Sequence, residues 1–268
     1  MTPRRRWLVP TVLAAATALL AGCAASRAAA PPVDRPSALG TASPATPITT
    51  PGPGLVVGLG DSVTAGTACG CTTFVDLYAA GLAERQRRPV RAVNLGKPGL
   101  SSVGLAQQLG ATPARSQLAH ADTVVVTIGA NDLVPLVRTW QEGGCPQTCV
   151  APAVSVMRGH LGNALAVLRT DLPPDARVLV TTYWNVFEDG DVADREYGDG
   201  FAGWSDAVTR SANAAICAAA AGADDRCVDL YDPFEGAGDR NPTALLADDG
   251  DHPNAAGHRL IAATLLAA

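Results

Sequence analysis

Apolar and polar residues follow two periodic patterns along residues 55–268, and together these patterns predict strands separated by helices. Five short runs are almost wholly apolar, which is typical of strands buried on both faces of a parallel sheet. They span residues 55–59, 90–95, 123–128, 177–182 and 226–230. Longer helical patterns lie between and after them, at residues 72–87, 102–109, 151–170, 204–220 and 255–267. This order predicts an α/β fold, a three-layer α/β/α sandwich around a central, mainly parallel sheet in one domain, residues 55–268.

The first 54 residues follow a different pattern and are predicted to lie outside this domain. Residues 1–22 carry three arginines at positions 4–6. An apolar run follows that is shorter than the roughly 20 residues that span a bilayer, as in signal peptides. Residues 23–54 are rich in Ala, Pro, Ser and Thr, which predicts a semi-extended tether.

The end of the predicted signal peptide suggests a lipid anchor. The sequence Leu-Ala-Gly-Cys at residues 20–23 resembles the lipobox of bacterial lipoproteins, in which the cysteine becomes the lipidated N-terminus. Cys23 is therefore the predicted lipidation site, and we expect an exported chain held on the extracytoplasmic face of a bacterial membrane. An ordinary secretory signal that happens to contain a cysteine is the alternative.

The charge balance narrows the classes of partner. The formal net charge of the full sequence is −5, and Lys97 is its one lysine. Nucleic-acid binding depends on clustered Lys and Arg, so we expect no nucleic-acid partner. We expect a monomer.

The cysteines indicate disulfides rather than a metal site. Six remain beyond Cys23, and an even number in an exported protein favours disulfides, with 15 possible pairings. They are Cys69, Cys71, Cys145, Cys149, Cys217 and Cys227. Cys217 with Cys227 is the pair we expect first, because it would join a helix end to the following strand. The other spacings lack nearby histidines and do not match common zinc sites, so no metal is predicted.

Polar motifs follow the predicted strands at the points where the strands end. Their positions are 60–63 (GDSV), 94–99 (NLGKPG), 129–132 (GAND) and, near the C-terminus, 249–254 (DGDHPN). In open parallel sheets, ligands bind beyond the carboxyl ends of the strands. The motifs are therefore expected to converge on one edge of the sheet.

One serine in these motifs has the partners that nucleophilic catalysis requires. A serine hydroxyl is a weak nucleophile unless a base within hydrogen-bond reach removes its proton. Ser62 is the predicted nucleophile and His252 the predicted base. Asp249 stands three residues before His252, a spacing at which side chains can meet on a helical turn, and it would hold the imidazole in the required tautomer.

Three donors are candidates for an oxyanion hole. They are the backbone N–H groups of Ser62 and Gly96 and the side-chain amide of Asn131. Such donors typically stabilise the transition state by about 2.7–4 kcal/mol each. Gly96 could instead be only a turn residue, and Asn131 could cap the helix that follows it.

Together the four motifs resemble the SGNH hydrolases, also called the GDSL esterase/lipase family, over essentially all of residues 55–268. Val63 stands where the family usually has leucine. The resemblance implies Ser62, His252 and Asp249 as the catalytic triad, with Gly96 and Asn131 joining Ser62 in the oxyanion hole. It also implies an acyl-enzyme, no cofactor, and an ester substrate such as an acyl ester, an acetylated glycan or a lipid. The Gly-x-Ser-x-Gly motif of α/β-hydrolases is absent from the sequence.

Two alternatives stay open at this point. The chain could be a catalytically silent binding lipoprotein on the same fold, or an amidase or thioesterase with the same triad. Residues 183–204 hold half of the twelve aromatic residues and leave the same sheet edge as the motifs. We expect this segment to form a wall or lid of the substrate pocket, unless its aromatics simply pack beneath it.

Overall fold

The computed structural model describes residues 52–268, which form a parallel five-stranded sheet with helices on both faces. The strands are β1 (Gly54–Gly60), β2 (Val90–Asn94), β3 (Thr123–Thr127), β4 (Arg177–Thr181) and β5 (Arg226–Val228). They lie in the order β2-β1-β3-β4-β5, and every neighbouring pair is parallel. The predicted α/β fold with a central parallel sheet is confirmed.

Eleven α-helices and one short 3₁₀ helix (Thr243–Leu245) connect and cover the strands in this part of the chain. The α-helices are α1 (Ser62–Ala65), α2 (Phe74–Gln86), α3 (Ser102–Leu109), α4 (Thr112–Leu118), α5 (Ala130–Leu133), α6 (Pro135–Gly143), α7 (Gln147–Asp171), α8 (Gly190–Tyr197), α9 (Phe201–Gly222), α10 (Tyr231–Glu235) and α11 (Ala255–Ala267). Helix α2 packs on β1 and β2 and against α11, whereas α9 packs on β4 and β5 and against α7. These two groups of helices form the outer layers.

The core lies between the sheet and its helices and is mainly aliphatic. Every residue of β1 and β3 is buried, as expected for strands covered on both faces. Burying a Val or Leu side chain stabilises a fold by about 1.5–3 kcal/mol, so the central strands and the helix faces on them supply much of the driving force for folding.

The sheet order creates a crevice at the carboxyl ends of β1 and β3. From β1 the chain moves outward to β2, returns across the sheet to β3, and then continues to β4 and β5. Where the direction of winding reverses, the connections leave opposite faces and open a space for ligands. The motifs at residues 60–63 and 129–132 follow directly on these two strands.

The longer helices differ from the predicted bounds mainly at their first turns. Helix α7 begins at Gln147 rather than at 151, so Pro152 lies inside it. Helix α9 begins at Phe201 rather than at 204. Strand β5 ends at Val228 rather than at 230, because Leu230 already donates its N–H to the Thr182 hydroxyl.

The six cysteines of the described residues lie in three pairs. Their sulfur atoms pair Cys69 with Cys71, Cys145 with Cys149, and Cys217 with Cys227. The last is the pair expected from the sequence, and it joins α9 to β5, with 5.1 Å between the two Cα atoms.

The predictions for the N-terminal segment cannot be compared with the structure, and the question of membrane-spanning helices can be answered only for residues 52–268. The predicted signal peptide, Cys23 and nearly all of the tether lie outside the described residues. Within residues 52–268, none of the helices combines the length and apolar character that a membrane crossing requires.

Candidate active site

Ser62 stands at the start of α1, immediately beyond the end of β1. The turn is fixed by Asp61, whose Oδ1 accepts the N–H of Val63 at 3.0 Å and so caps the helix. Gly60 has a φ of +137°, and a Cβ there would lie 2.0 Å from the carbonyl oxygen of Thr127, so only glycine fits this strand-to-helix turn. The N–H of Ser62 bonds to no acceptor among residues 52–268, which leaves it free for an oxyanion.

A buried acid–phenol pair lies beneath this turn. Tyr183 donates its hydroxyl to Oδ2 of Asp61, across 122 positions of sequence, and both residues are almost fully buried. Burial raises the pKa of Asp61 to about 7, although the hydrogen bonds from Tyr183 and Val63 oppose the rise. Burial, with Asp61 beside it, raises the pKa of Tyr183 well above its ordinary value. The pair ties the predicted nucleophile turn to the strand end after β4.

Asp249 and His252 form the acid–imidazole pair that the sequence predicts. Nδ1 of His252 lies 2.8 Å from Oδ2 of Asp249, and Oδ1 of Asp249 accepts the backbone N–H groups of His252 (3.0 Å) and Asp251 (3.1 Å). Burial alone would raise the pKa of Asp249, but these hydrogen bonds lower it overall. The carboxylate is thus kept ionised, as a group that orients and stabilises an imidazolium must be.

The contact between His252 and Ser62 is not made in the structure. Among residues 52–268, the Ser62 hydroxyl has no hydrogen-bond partner, and Nε2 of His252 has its nearest carboxylate oxygen on Asp251, at 3.7 Å. Asp251 lines the cavity at Ser62. Burial raises the pKa of Asp251, opposed by His252 and aided by the charge of Asp249. Catalytic hydrogen bonds are often long or poorly aligned without substrate, and here a carboxylate flanks the ring nitrogen that would face the serine.

The two other predicted oxyanion donors are partly engaged. Asn131 lines the cavity at Ser62 and donates one amide hydrogen to the carbonyl of Leu100 at 3.0 Å, which leaves its second hydrogen available. The N–H of Gly96 donates to Oδ1 of Asn94 at 2.9 Å. A Cβ on Gly96 would lie 2.4 Å from the backbone nitrogen of Ala65. Gly96 therefore has a packing reason to be glycine, and its role as an oxyanion donor stays a prediction.

The cavity at Ser62 is small. Its volume is about 30 Å³, and Asn131 and residues 183–186 contribute to its walls. A cavity needs roughly 10–15 Å³ of such space to hold one water molecule, so this one has room for about two. The first part of the 183–204 segment thus borders the predicted nucleophile, as expected for a pocket wall.

The rest of that segment forms an aromatic cluster rather than a loose lid. Tyr197 stacks on Phe201 with 3.9 Å between ring centroids, and Trp204 stacks on Phe187 at 5.2 Å. The indole N–H of Trp204 donates to the carbonyl of Cys145 at 2.8 Å, which joins the cluster to the N-terminal end of α7. One end of the segment therefore borders the cavity and the other packs inward, and its part in binding substrate stays a prediction.

One group of side chains in the described residues has the spacing of a metal site, but its chemistry argues against one. The ligand atoms of Cys69, Cys71 and His258 lie within 4.8 Å of one another. The two cysteines pair with each other, and Nδ1 of His258 accepts the N–H of Phe74 at 3.1 Å. A neutral imidazole that accepts at Nδ1 carries its proton on Nε2, where a metal would have to bind.

Two features of the site were not predicted from the sequence. The contact of Tyr183 with Asp61 joins residues on different strand ends and has no local pattern. Asp251 could have been noticed as the acid next to the predicted base, but its position between imidazole and cavity depends on the turn at residues 249–252.

Comparison with known proteins agrees with the geometry. The sequence profile of the GDSL-like lipase/acylhydrolase family matches residues 59–260. No curated protein matches the sequence recognisably.

Solved structures show the same fold at low sequence identity. A lipase, Lip_vut3, from a goat rumen metagenome has a TM-score of 0.63 at 20% identity, covering 80% of this chain and 96% of its own. A variant of the acetyl-xylooligosaccharide esterase Axe2 from Geobacillus stearothermophilus has a TM-score of 0.58 at 20% identity, covering 81% and 94%. LAE5, an α/β hydrolase from the Lake Arreo metagenome in Spain, has a TM-score of 0.55 at 21% identity, covering 81% and 94%.

The profile match extends over most of the chain and contains the turn at Ser62 as well as the Asp249–His252 pair. The chain therefore belongs to the GDSL-like lipase/acylhydrolase family and is a carboxylic ester hydrolase.

Proposed function

We propose that the protein hydrolyses short-chain acyl esters through an acyl-enzyme formed on Ser62. The observation that supports this most directly is the 2.8 Å contact between Asp249 and His252, in a turn whose Asp251 lines the same cavity as Ser62. A carboxylate that holds Nδ1–H leaves Nε2 as the basic nitrogen, which is what proton abstraction from a serine requires.

The reaction proceeds in two halves. Oγ of Ser62 attacks the ester carbonyl carbon as its proton passes to Nε2 of His252, and the oxyanion accepts hydrogen bonds from the Ser62 N–H and the Asn131 amide. The ester C–O bond then breaks, and the alcohol leaves with the proton from His252. Water, deprotonated by His252, attacks the acyl-enzyme, which releases the acid and returns the proton to Ser62.

Two small rearrangements complete the site in this proposal. Rotation of the Asp251 side chain away from Nε2 would let His252 and Ser62 approach each other. Release of the Gly96 N–H from Asn94 would add the third oxyanion donor. Both side chains that must move are partly exposed, so neither rearrangement disrupts the core.

The size of the cavity supports a short acyl group. The confined space of about 30 Å³ beside Ser62 favours a small acyl group such as acetyl over an extended chain. The acetyl-xylooligosaccharide esterase of the same fold makes an acetylated glycan one reasonable source of such a group. Acyl lipids are the less favoured substrates in this proposal.

The experiment compares wild type with Ser62→Ala on nitrophenyl acetate, butyrate and octanoate. We expect activity to fall with chain length and the substitution to lower kcat by about 10⁴–10⁶-fold. Wild type should also bind a phosphonate probe covalently at Ser62, and the variant should not.

Thr67→Ala is the matched control for Ser62→Ala, because it also removes one hydroxyl. Thr67 lies in the loop just after α1, and its side chain forms no hydrogen bond among residues 52–268. This variant should retain activity. Equal, slow hydrolysis by all three proteins without probe labelling would instead indicate a silent binding protein. If wild type is labelled by the probe but hydrolyses amides or thioesters instead of esters, the protein is an amidase or a thioesterase with the same triad.

We also propose that the chain is exported and anchored to the outer face of the membrane through lipid on Cys23. The basic and apolar segments before Cys23 support this. In that oxidising setting the three cysteine pairs would be disulfides. Peptide mapping without reductant should then recover three cross-linked pairs.

A further inference from the structure

A second cavity, larger and strongly acidic, shares Trp184 and Asn185 with the cavity at Ser62. Its volume is about 250 Å³. Five carboxylates and one guanidinium, that of Arg240, line it. The carboxylates are those of Asp189, Asp194, Asp206, Glu235 and Asp239.

Glu235 is the unusual member of this set. It is only 8% exposed, and its Oε1 is buried without a hydrogen-bond partner among the described residues. Its backbone is held firmly, because its carbonyl accepts the N–H groups of Gly238, Asp239 and Arg240 at 2.9–3.2 Å. A buried carboxylate oxygen without a donor is costly, and in the described part of the protein only a proton shared with Asp189 could satisfy this carboxyl group.

Asp189 faces Glu235 across the cavity wall. The two carboxyl groups lie within hydrogen-bonding distance of each other. Oδ1 of Asp189 accepts the N–H of Gly190 at 2.7 Å and Oδ2 accepts the amide of Asn185 at 3.1 Å, which leaves lone pairs on both oxygens. Two carboxylates this close repel each other unless a proton or a cation lies between them. Burial, with Asp189 beside it, raises the pKa of Glu235 to about 8, so a cation bound here would take the place of a shared proton.

The neighbouring arginines do not supply that charge directly. Arg240 donates through Nη1 to the carbonyl of Pro233, and Arg210 pairs with Asp206 at 2.9 Å. Neither forms a hydrogen bond with Glu235 or Asp189 in the described part of the chain.

We propose that this cavity binds a divalent cation, Ca²⁺, through the carboxylates of Asp189 and Glu235, with water completing its coordination. Ca²⁺ takes 6–8 oxygen ligands in flexible geometry, and 250 Å³ leaves room for several waters at about 30 Å³ each. The lining contains no histidine or cysteine, which disfavours zinc and the softer metals.

The site would brace the predicted catalytic turn. The N–H of Asp189 donates to the carbonyl of Gly250 at 2.8 Å, one residue after Asp249. Asp189 also caps α8. An ion held between Asp189 and Glu235 would therefore fix the segment on which the Asp249–His252 turn rests, whether or not Ser62 is the nucleophile.

Terbium luminescence and thermal unfolding test the proposal on the purified protein after chelator treatment. Tb³⁺ replaces Ca²⁺ and emits when nearby aromatic rings absorb at 280 nm, and both Trp184 and Tyr231 line the cavity. We expect saturable emission that CaCl₂ displaces. We also expect CaCl₂ at about a hundredfold excess over Kd to raise Tm by roughly 5–10 °C.

Glu235→Gln and Glu142→Gln form a matched pair, because each removes one negative charge. Glu142 is exposed on α6, where it pairs with Arg138. Glu235→Gln should lose the Tb³⁺ emission and the Ca²⁺ shift, and Glu142→Gln should keep both. If Glu235→Gln does not fold, Asp189→Asn makes the same test, since Asn also caps helices.

Two outcomes would overturn the proposal. Wild type that shows neither emission nor a Ca²⁺ shift at millimolar ion would mean that the two acids share a proton instead. Binding that survives both Glu235→Gln and Asp189→Asn would place the ion elsewhere on the acidic surface.

Discussion

At the scale of single residues, the two oxygens of Asp249 have separate tasks. Oδ1 shapes the turn by accepting two backbone N–H groups, and Oδ2 faces the ring of His252. An amide in place of the carboxylate can still accept at Oδ1. At the second position it presents an N–H₂ donor, which forces Nδ1 of the imidazole to accept and moves the ring proton to Nε2.

Asp249→Asn should therefore remove catalysis while keeping the fold. With its proton on Nε2, His252 cannot take the proton of Ser62, and we expect kcat to fall by about 10⁴-fold. Steady-state hydrolysis of nitrophenyl acetate measures this, and Tm should change little because the Oδ1 contacts persist.

Asp248→Asn is the control for this substitution. Asp248 is exposed and adjacent in sequence, and it makes no hydrogen bond through its side chain in the described residues. Each of the two variants therefore removes one negative charge from the turn. If Asp249→Asn kept more than a tenth of wild-type activity, Asp249 would not be the orienting acid.

The hydrogen bond from Tyr183 to Asp61 leads to a second prediction at the scale of single residues. The pKa of Asp61 is raised to about 7, so its carboxyl is mostly protonated at pH 6 and mostly ionised at pH 8. Only the ionised form depends on a donor. Tyr183→Phe should thus lower the free energy of unfolding by about 1–3 kcal/mol at pH 8 and by less at pH 6. Urea denaturation at the two pH values gives the comparison.

Asp61→Asn supplies the control for the pH dependence. An amide at position 61 does not titrate, so the cost of Tyr183→Phe in that background should be the same at pH 6 and pH 8. A pH-independent cost in the wild-type background would mean that Asp61 does not change its protonation state between pH 6 and pH 8.

At the scale of elements, a buried imidazole helps to hold α11 against α2. His258 is fully buried, accepts the N–H of Phe74 through Nδ1, and stacks on the Phe74 ring with 5.9 Å between centroids. Burial, with His252 nearby, lowers the pKa of His258 to about 4. The two helices therefore make this contact only while the ring of His258 is neutral.

This lowered pKa predicts a loss of stability in acid. Since the unfolded chain binds the proton near pH 6.5 and the folded chain only near pH 4, stability is present above pH 6.5 and is lost as the pH falls through this window, by about 3 kcal/mol in total. Denaturation midpoints between pH 4 and pH 7 measure the slope.

His258→Asn isolates this contribution from that of the carboxylates. The amide oxygen of Asn can accept the Phe74 N–H but does not titrate, so the variant should be less stable at pH 7 and should show a shallower loss towards pH 4. An unchanged slope would mean that other groups account for the acid sensitivity.

The elements that could be predicted from sequence are those that repeat a pattern for long enough. All five strands were predicted, because a run of buried β-branched residues between polar turns has few other interpretations. Helices α1 and α5 have four residues each, too few to show a helical period, and they exist because Asp61 and the turn after β3 hold them. The residue pairs of the site depend instead on contacts between distant strand ends.

At the scale of the whole molecule, the parallel sheet explains why such distant residues meet. Asp249 and His252 could be paired from their spacing, and Ser62 and Asn131 from their places after β1 and β3. The missing hydrogen bond between Ser62 and His252 within residues 52–268 could not be predicted, and neither could the position of Asp251, whose carboxylate lies 3.7 Å from Nε2 of His252. The spacing of the motifs in the sequence therefore predicts which residues lie at this edge of the sheet, whereas the final distances between their side chains depend on packing.

The whole molecule also includes the segment before the domain, on which the proposed location depends. Cys23→Ser should release the protein from the membrane, because a serine cannot receive the thioether-linked lipid. We expect the variant in the soluble fraction outside the cytoplasm with unchanged kcat per molecule, as the substitution lies 39 positions before Ser62 and outside the catalytic domain. Fractionation followed by an esterase assay checks both. Wild type that is already soluble would mean a cleaved secretory signal without an anchor, and a variant still on the membrane would require another means of attachment.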